Sequence, residues 1–173
     1  MVSYLYRMDT SYAGDMTRQP APGDIEQLAL DPTVDWSTYG FGRPVVLTSD
    51  GKATLPTAST KSSDIYGMLV RAYPGFAVAN TGNAAYPQIN GEAYAVARRG
   101  FMAVPLQGST SAAKGSSVYV RVGGVTSPSV LGAAEAAADA TTASNTPALT
   151  GAKFVGPAGT DGITEISFDF RAS

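Results

Sequence analysis

From Pro44 onward, apolar residues arrive in short β-branched and aromatic runs cut by glycine, proline and Asp-Gly signals. That punctuation limits the fold more than any other feature, because runs of this length suit strands and leave little room for amphipathic helices. "PVVLTSDGKATLP" reads as strand, Asp50-Gly51 turn, strand. "DIYGMLVRAYP" reads as the next strand, with Ile65, Met68 and Val70 directed to the core. "EAYAVARRGFMAVPLQG" predicts one long or broken strand in which Gly100 marks a bulge or tight bend. "SSVYVRV" alternates, with Val118, Val120 and Val122 on one face and Ser117, Tyr119 and Arg121 on the other.

Two stretches close the chain as strands, "GAKFVGPA" and "GITEISFDF". In the second, Ile163, Ile166, Phe168 and Phe170 change parity at Glu165, which predicts a bulge or a strand buried on both faces. The Ala-rich window near 128–150 is the only helix-friendly one, yet it lacks large apolar residues for docking. It reads as a surface excursion with one or two helical turns, and the segment near 74–92 as a long loop. Six to nine short strands with Gly and Pro turns predict an all-β fold, a small barrel or sandwich.

Ahead of this body lies a different text. Residues 1–42 hold prolines, acidic residues and no sustained period, yet they carry Ile25, Leu28, Leu30, Val34, Trp36, Tyr39 and Phe41. Disordered leaders rarely contain so many large apolar groups, so these side chains need a surface to cover. The expectation is an extended N-terminal arm, 1–42, on a β-rich body, 43–173. Tyr4, Tyr6, Tyr12, Ile25, Leu28, Leu30, Trp36, Tyr39 and Phe41 are its candidate partner-interface residues, tyrosine being an anchor of low entropic cost.

Charge supports an arm that lies on something. Residues 1–40 carry Arg7 and Arg18 against six carboxylates, whereas residues 41–130 carry eight Lys or Arg against Asp50, Asp64 and Glu92. An acidic arm and a basic body attract, within one chain or between copies. Arg98-Arg99, the only adjacent basic pair, is the candidate partner of such an arm or of another subunit. In a strand the two point to opposite faces.

Chemistry is thinly provided for. The chain has no cysteine and no histidine, which excludes the usual Cys/His zinc sites, a Ser-His-Asp triad and a cysteine nucleophile. Ser111 and Lys114 have Ser-x-x-Lys spacing but sit in "QGSTSAAKGSSVY", a hairpin-tip composition without partner motifs. Lys114 also precedes Gly115, the reverse of a phosphate-binding loop. Asp161, Glu165 and Asp169 recur every four residues but in strand context, so they read as solvated or interface carboxylates. No cofactor and no metal are expected. A pI near 5.0 speaks against nucleic acid, and the sequence has neither a signal-peptide pattern nor an apolar run long enough for a membrane helix. Only 15% of residues are charged, below the usual ~25%, which fits a surface partly given to other protein.

Several stretches, in order along most of the chain, resemble the structural cement or decoration proteins of tailed bacteriophage capsids. They are "APGDIEQLALDPTVDWSTYGFGRPVV", "SSDIYGMLVRAYPG", "VARRGFMAVPLQGSTSAAKGSSVYVRV" and "GAKFVGPAGTDGITEISFDF". The resemblance implies a non-enzymatic virion protein on the outer capsid surface that clamps major capsid subunits and stabilises the head. It implies self-association as homodimer or homotrimer, and no catalytic residues. The rival is a carbohydrate- or receptor-binding module of a virion, with Trp36, Tyr73, Tyr86 and Tyr94 stacking on sugars beside Asn80, Asn83 and Asn90.

Overall fold

The computed structural model of the chain describes residues 12–71 and 93–171. The loop expected near 74–92 lies outside the described residues, as do Tyr4 and Tyr6. Within them, five strands form one sheet: β1 (Ile25–Ala29), β2 (Pro44–Leu47), β3 (Ala53–Thr54), β4 (Ile65–Leu69) and β5 (Ala93–Ala97). Their order is β1-β5-β4-β2-β3, every neighbour antiparallel. Five more close into a barrel: β6 (Arg99–Gln107), β7 (Ser117–Val120), β8 (Ala134–Glu135), β9 (Ala148–Phe154) and β10 (Ile163–Asp169). Around the barrel the order is β10-β6-β8-β7-β9, with β9 closing on β10 and only β6 and β8 parallel. The fold is all-β, as the sequence predicts.

The sheet also curls. Asp31 N–H donates to the Ala53 carbonyl at 2.8 Å, and Leu30 forms a bridge with Ala53, so the chain leaving β1 meets β3 at the opposite edge. Two cores result. The barrel core is built around Met102, Val104, Val118, Val120, Phe154, Ile166, Phe168 and Phe170, and takes in Ile65, Met68 and Ala97 from the sheet. The second holds Leu30, Trp36, Tyr39, Phe41, Val45, Ala53, Leu69 and Val96. Neighbours Met68 and Leu69, or Val96 and Ala97, therefore serve opposite cores, as the two-residue period of a strand requires. The middle strands of the sheet are buried on both faces.

From residue 12 onward, this arrangement takes the place of the expected arm. Residues 12–42 are knitted to the body by backbone hydrogen bonds. Gly14 and Thr17 N–H groups donate to Ala103 and Phe101 carbonyls at 2.8 and 3.0 Å, and Ala103 N–H donates to Asp15, adding a short antiparallel strap to β6. β1 then pairs with β5 along its length. Among the described residues, the boundary expected after residue 42 has no counterpart. Leu30, Trp36, Tyr39 and Phe41 are almost wholly buried in the chain's own second core, so they are corrected from partner anchors to core. The acidic residues that made this stretch look solvated form its turns. Asp31 accepts from Thr33 N–H and Asp35 from Ser37 N–H, both at 2.9 Å, while Asp24 accepts from Ala21 N–H at 3.0 Å. Such Asx turns bend the chain without any periodic signal. Trp36 Nε1–H, donating to the Asp31 carbonyl at 3.0 Å, leaves its ring free of polar cost.

Close backbone approach pins the strap. Gly14 and Gly42 both have positive φ, and a Cβ on Gly42 would stand 2.7 Å from Gly14 N and 2.9 Å from the Ala103 oxygen. Gly100 has a related role rather than marking a bulge. Its register with Phe168 is regular, but a Cβ there would meet Met16 of the strap at 2.4 Å. The break in the long strand falls at Arg98, where the chain passes from sheet to barrel.

Two further expectations change. β10 runs in unbroken register with β6 and has no bulge; Thr164, fully buried, fills the inward position, and Ile163 faces outward. Its hydroxyl donates to the Gly156 carbonyl at 2.8 Å, which lets a polar side chain occupy a core site. The Ala-rich window is no excursion. It supplies β8 between β6 and β7, with Ala133, Ala134 and Glu135 buried, and its only helical content is a 3-10 turn at Ala143–Asn145.

Candidate interaction surface

Arg98 occupies the junction of sheet and barrel. Its N–H donates to the Asp24 carbonyl and its own carbonyl accepts from Phe170 N–H, each at 2.8 Å, so one residue ties both layers. The guanidinium lies 4.3 Å over the Tyr66 ring and 3.7 Å from Glu26. Tyr66 completes the group by donating to Glu26 at 2.6 Å, and that bond holds its phenol pKa above the ordinary value. Of the adjacent pair, Arg98 thus turns to a residue of the N-terminal segment. Arg99 is more exposed, 3.7 Å from Asp169 on β10.

The outer face of β6 and β10, with the strap beside them, carries a group of polar and aromatic side chains. Arg18 stacks over Phe101 at 3.6 Å and lies 3.6 Å from Glu165, which also accepts from the Thr17 hydroxyl. Below it, Asp169 receives Arg171, which reaches the buried Asp24 at 3.1 Å and holds the Asp169 carboxyl below its usual range. At the top of the strap Tyr12 is 61% exposed, with Arg71 stacked on its ring at 4.8 Å. Between them runs an open groove of 360 Å³ lined by strap residues 15–20 with Ile25, Val70 and Arg71. Asp15 lies along it, its carboxyl raised by burial against the opposing pull of Arg71.

Of the residues singled out from sequence, the structure brings Tyr12 and Arg99 to this exposed face. Ile25 is half-buried against the barrel core and Leu28 against the second core. Ser111 and Lys114 stand exposed on the connection between β6 and β7. Among the described residues no cluster of three or more carboxylates could hold a metal ion.

One polar group escaped sequence reading. Arg121 is 7% exposed, and its Nε and Nη2 donate to both oxygens of buried Glu135 at 2.5 and 3.0 Å. Nη1 reaches Asp139 at 2.8 Å. The guanidinium, helped by Thr141 and Thr142 N–H, holds the Asp139 carboxyl far below its usual range. Alternation had placed Arg121 outward; the exposed-looking position is covered by β8 and the loop after it. The nearest available signal was two acids in an otherwise alanine-rich window.

The family model described as Structural cement protein (E217 gp24/Pam3 gp6) matches residues 2–169. The chain belongs to the phage structural cement protein family. Membership gives it a structural, capsid-associated role rather than a catalytic one. The same architecture occurs in a chain from "The capsid of Myoviridae Phage XM1", with TM-score 0.67 over 96% of this chain and 95% of that one, at 18% identity. No curated protein sequence matches. For a cement protein, the features to explain are surfaces rather than pockets, and the strap face carries two stacked pairs of guanidinium and aromatic groups, Arg18 with Phe101 and Arg71 with Tyr12.

Proposed function

We propose that this protein binds the outer surface of an assembled capsid, as a homodimer or homotrimer, and holds neighbouring major capsid subunits together. The observation that carries the reading is the family match over residues 2–169. Tyr12, Arg18, Phe101 and Arg99 supply the kind of contact that recurs at interface centres, stacked guanidinium and aromatic groups. Tyr4 and Tyr6 extend the proposed contact beyond the described residues. Several weak contacts per oligomer add through effective concentration. The glycan-binding alternative loses Trp36, which is buried, while Tyr94 is half-buried against Phe41 with centroids 6.2 Å apart and Tyr73 and Tyr86 lie outside the described residues.

The test compares the full chain with one starting at Tyr12 on capsids that lack this protein, reading bound copies and particle melting temperature. The cut belongs there because a deletion through residue 40 would remove Leu30, Trp36 and Tyr39 from the core. Saturable binding with a rise in particle stability is expected from the full chain. Failure of the full chain to bind would overturn the reading.

A further inference from the structure

The outward side chains of β6 and β10 stand in two rows. Register sets Arg99 opposite Asp169 and Phe101 opposite Ser167, with Glu165 two residues before Ser167 on β10. Thr164, Ile166 and Phe168 take the inward positions between them. The β10 row is therefore acidic, Glu165 and Asp169. The other row is basic and aromatic: Arg99 and Phe101 on β6, with Arg18 of the strap stacked on Phe101 and reaching the height of Glu165.

The ion pairs within one chain are loose here. Arg18 meets Glu165 at 3.6 Å and Arg99 meets Asp169 at 3.7 Å, both through Nε and both beyond hydrogen-bond distance. The two arginine side chains are 55% and 50% exposed, and surface pairs of this kind contribute little to a fold. The buried Arg121, by contrast, sits 2.5 and 2.8 Å from its two acids. The rows on β6 and β10 thus keep charge available to a second body. We propose that this face is the two-fold interface of a homodimer. The inference rests on the cement reading and deepens its self-association by choosing a dimer over a trimer, since a three-fold contact joins two different patches and needs no self-complementary one.

Charge complementarity selects the second copy and its orientation. A face of one sign repels its own copy, whereas an acidic row beside a basic row fits itself. A two-fold axis that lies in the interface, parallel to the strands and midway between β6 and β10, exchanges the rows without changing height. Asp169 of one copy then faces Arg99 of the other, Glu165 faces Arg18, and Ser167 faces Phe101. Symmetry makes each contact twice. An axis across the strands would instead set Glu165 on Asp169, acid on acid. Phe101 and Arg18, stacked at the centre, are the residue types that carry the energy of interface cores.

The experiment is sedimentation equilibrium of the full chain, with circular dichroism as the folding control, on the wild type, Arg99→Asp, Asp169→Arg and an equimolar mixture of the two variants. The wild type should be a dimer at micromolar concentration. Each variant sets like charges opposite one another at two symmetry-related places, and its dimer should be about a hundredfold weaker. Mixing the variants should restore association as a heterodimer, although the pair within each chain stays broken. That rescue separates a contact between copies from a role inside one chain. A wild-type trimer, variants as dimeric as the wild type, or a mixture that stays apart would each overturn the proposal. A monomeric wild type whose variants lose capsid binding would overturn it too and give the face to the lattice. If the dimer behaves as described but the wild type binds no capsid, it is the cement reading that fails.

Discussion

In the barrel, inward side chains come at every second position along strands: Val118, Val120 and Val122, or Thr164, Ile166, Phe168 and Phe170. In the second core, four of the eight buried residues, Leu30, Trp36, Tyr39 and Phe41, come from a stretch that forms no strand after β1 ends. Both regions are β-rich and tightly buried, yet one is assembled by periodicity and the other by turns that drop individual side chains onto a sheet. Single positions therefore carry different weight in the two. A barrel residue shares its burden with its ladder neighbours, whereas Trp36 is held by its own loop and covers the sheet face beside Leu30, Tyr39 and Phe41.

The sharpest way to break the comparison is Trp36→Ala. A loss of about 3–5 kcal/mol is expected in denaturant unfolding, because the surrounding turns cannot collapse into the space. Because Ile65, Met68 and Ala97 of the sheet belong to the barrel core, one cooperative transition should remain. Two separated transitions would show instead that the layers fold independently. Next in size is Glu135→Ala, which leaves Arg121 in the barrel wall with Asp139 as its one carboxylate partner and should cost about 3 kcal/mol. Substituting Arg121→Met and Asp139→Asn in the same background should recover much of that loss, since all three charges are then gone.

Acid should separate the regions further. The Asp139 carboxyl is held below its unfolded value of 3.8 by Arg121, so its contribution is fully present above that pH. It disappears as pH falls below 4 through the folded pKa. A melting curve followed from pH 7 to pH 2.5 should therefore fall steeply at the acid end, and Asp139→Asn should flatten that limb while lowering stability at pH 7. An acid limb unchanged in the variant would remove Asp139 from the account. The smallest effect sharpens the barrel side: Thr164→Val should cost about 1 kcal/mol by orphaning the Gly156 carbonyl, and Thr164→Ser should recover part of it.

Legibility followed the same division. The Asp50-Gly51 hairpin, β4, β7 and β10 are present where alternation and turn residues placed them, while β9 starts and ends several residues earlier than the stretch from Gly151 to Ala158 that the sequence predicts for it. The parity change at Glu165 was misleading because Thr164 counts as polar in a sequence but is satisfied locally in the core. The Ala-rich window misled for the opposite reason: helix propensity is a local quantity, while Ala134 and Glu135 form β8 by pairing with β6 on one side and β7 on the other. Of the candidate interface residues, Tyr12 and Arg99 are exposed, but alternation placed Arg98 and Arg99 only on opposite faces and did not say which faced outward. The fate of Leu30, Trp36, Tyr39 and Phe41 could not, since an apolar group without a period says that it will be buried but not against what.

By itself the sequence determined that the chain is all-β, that imidazole and thiolate chemistry are closed to it, and that its first forty residues hold apolar side chains requiring cover. These follow from residue type and short-range spacing. Only the tertiary structure decided that the cover is the chain's own sheet, that Arg98 joins two layers and that Arg121 is buried. Each of those depends on which distant segments meet, and that is set by the whole balance of burial against chain entropy rather than by any local stretch.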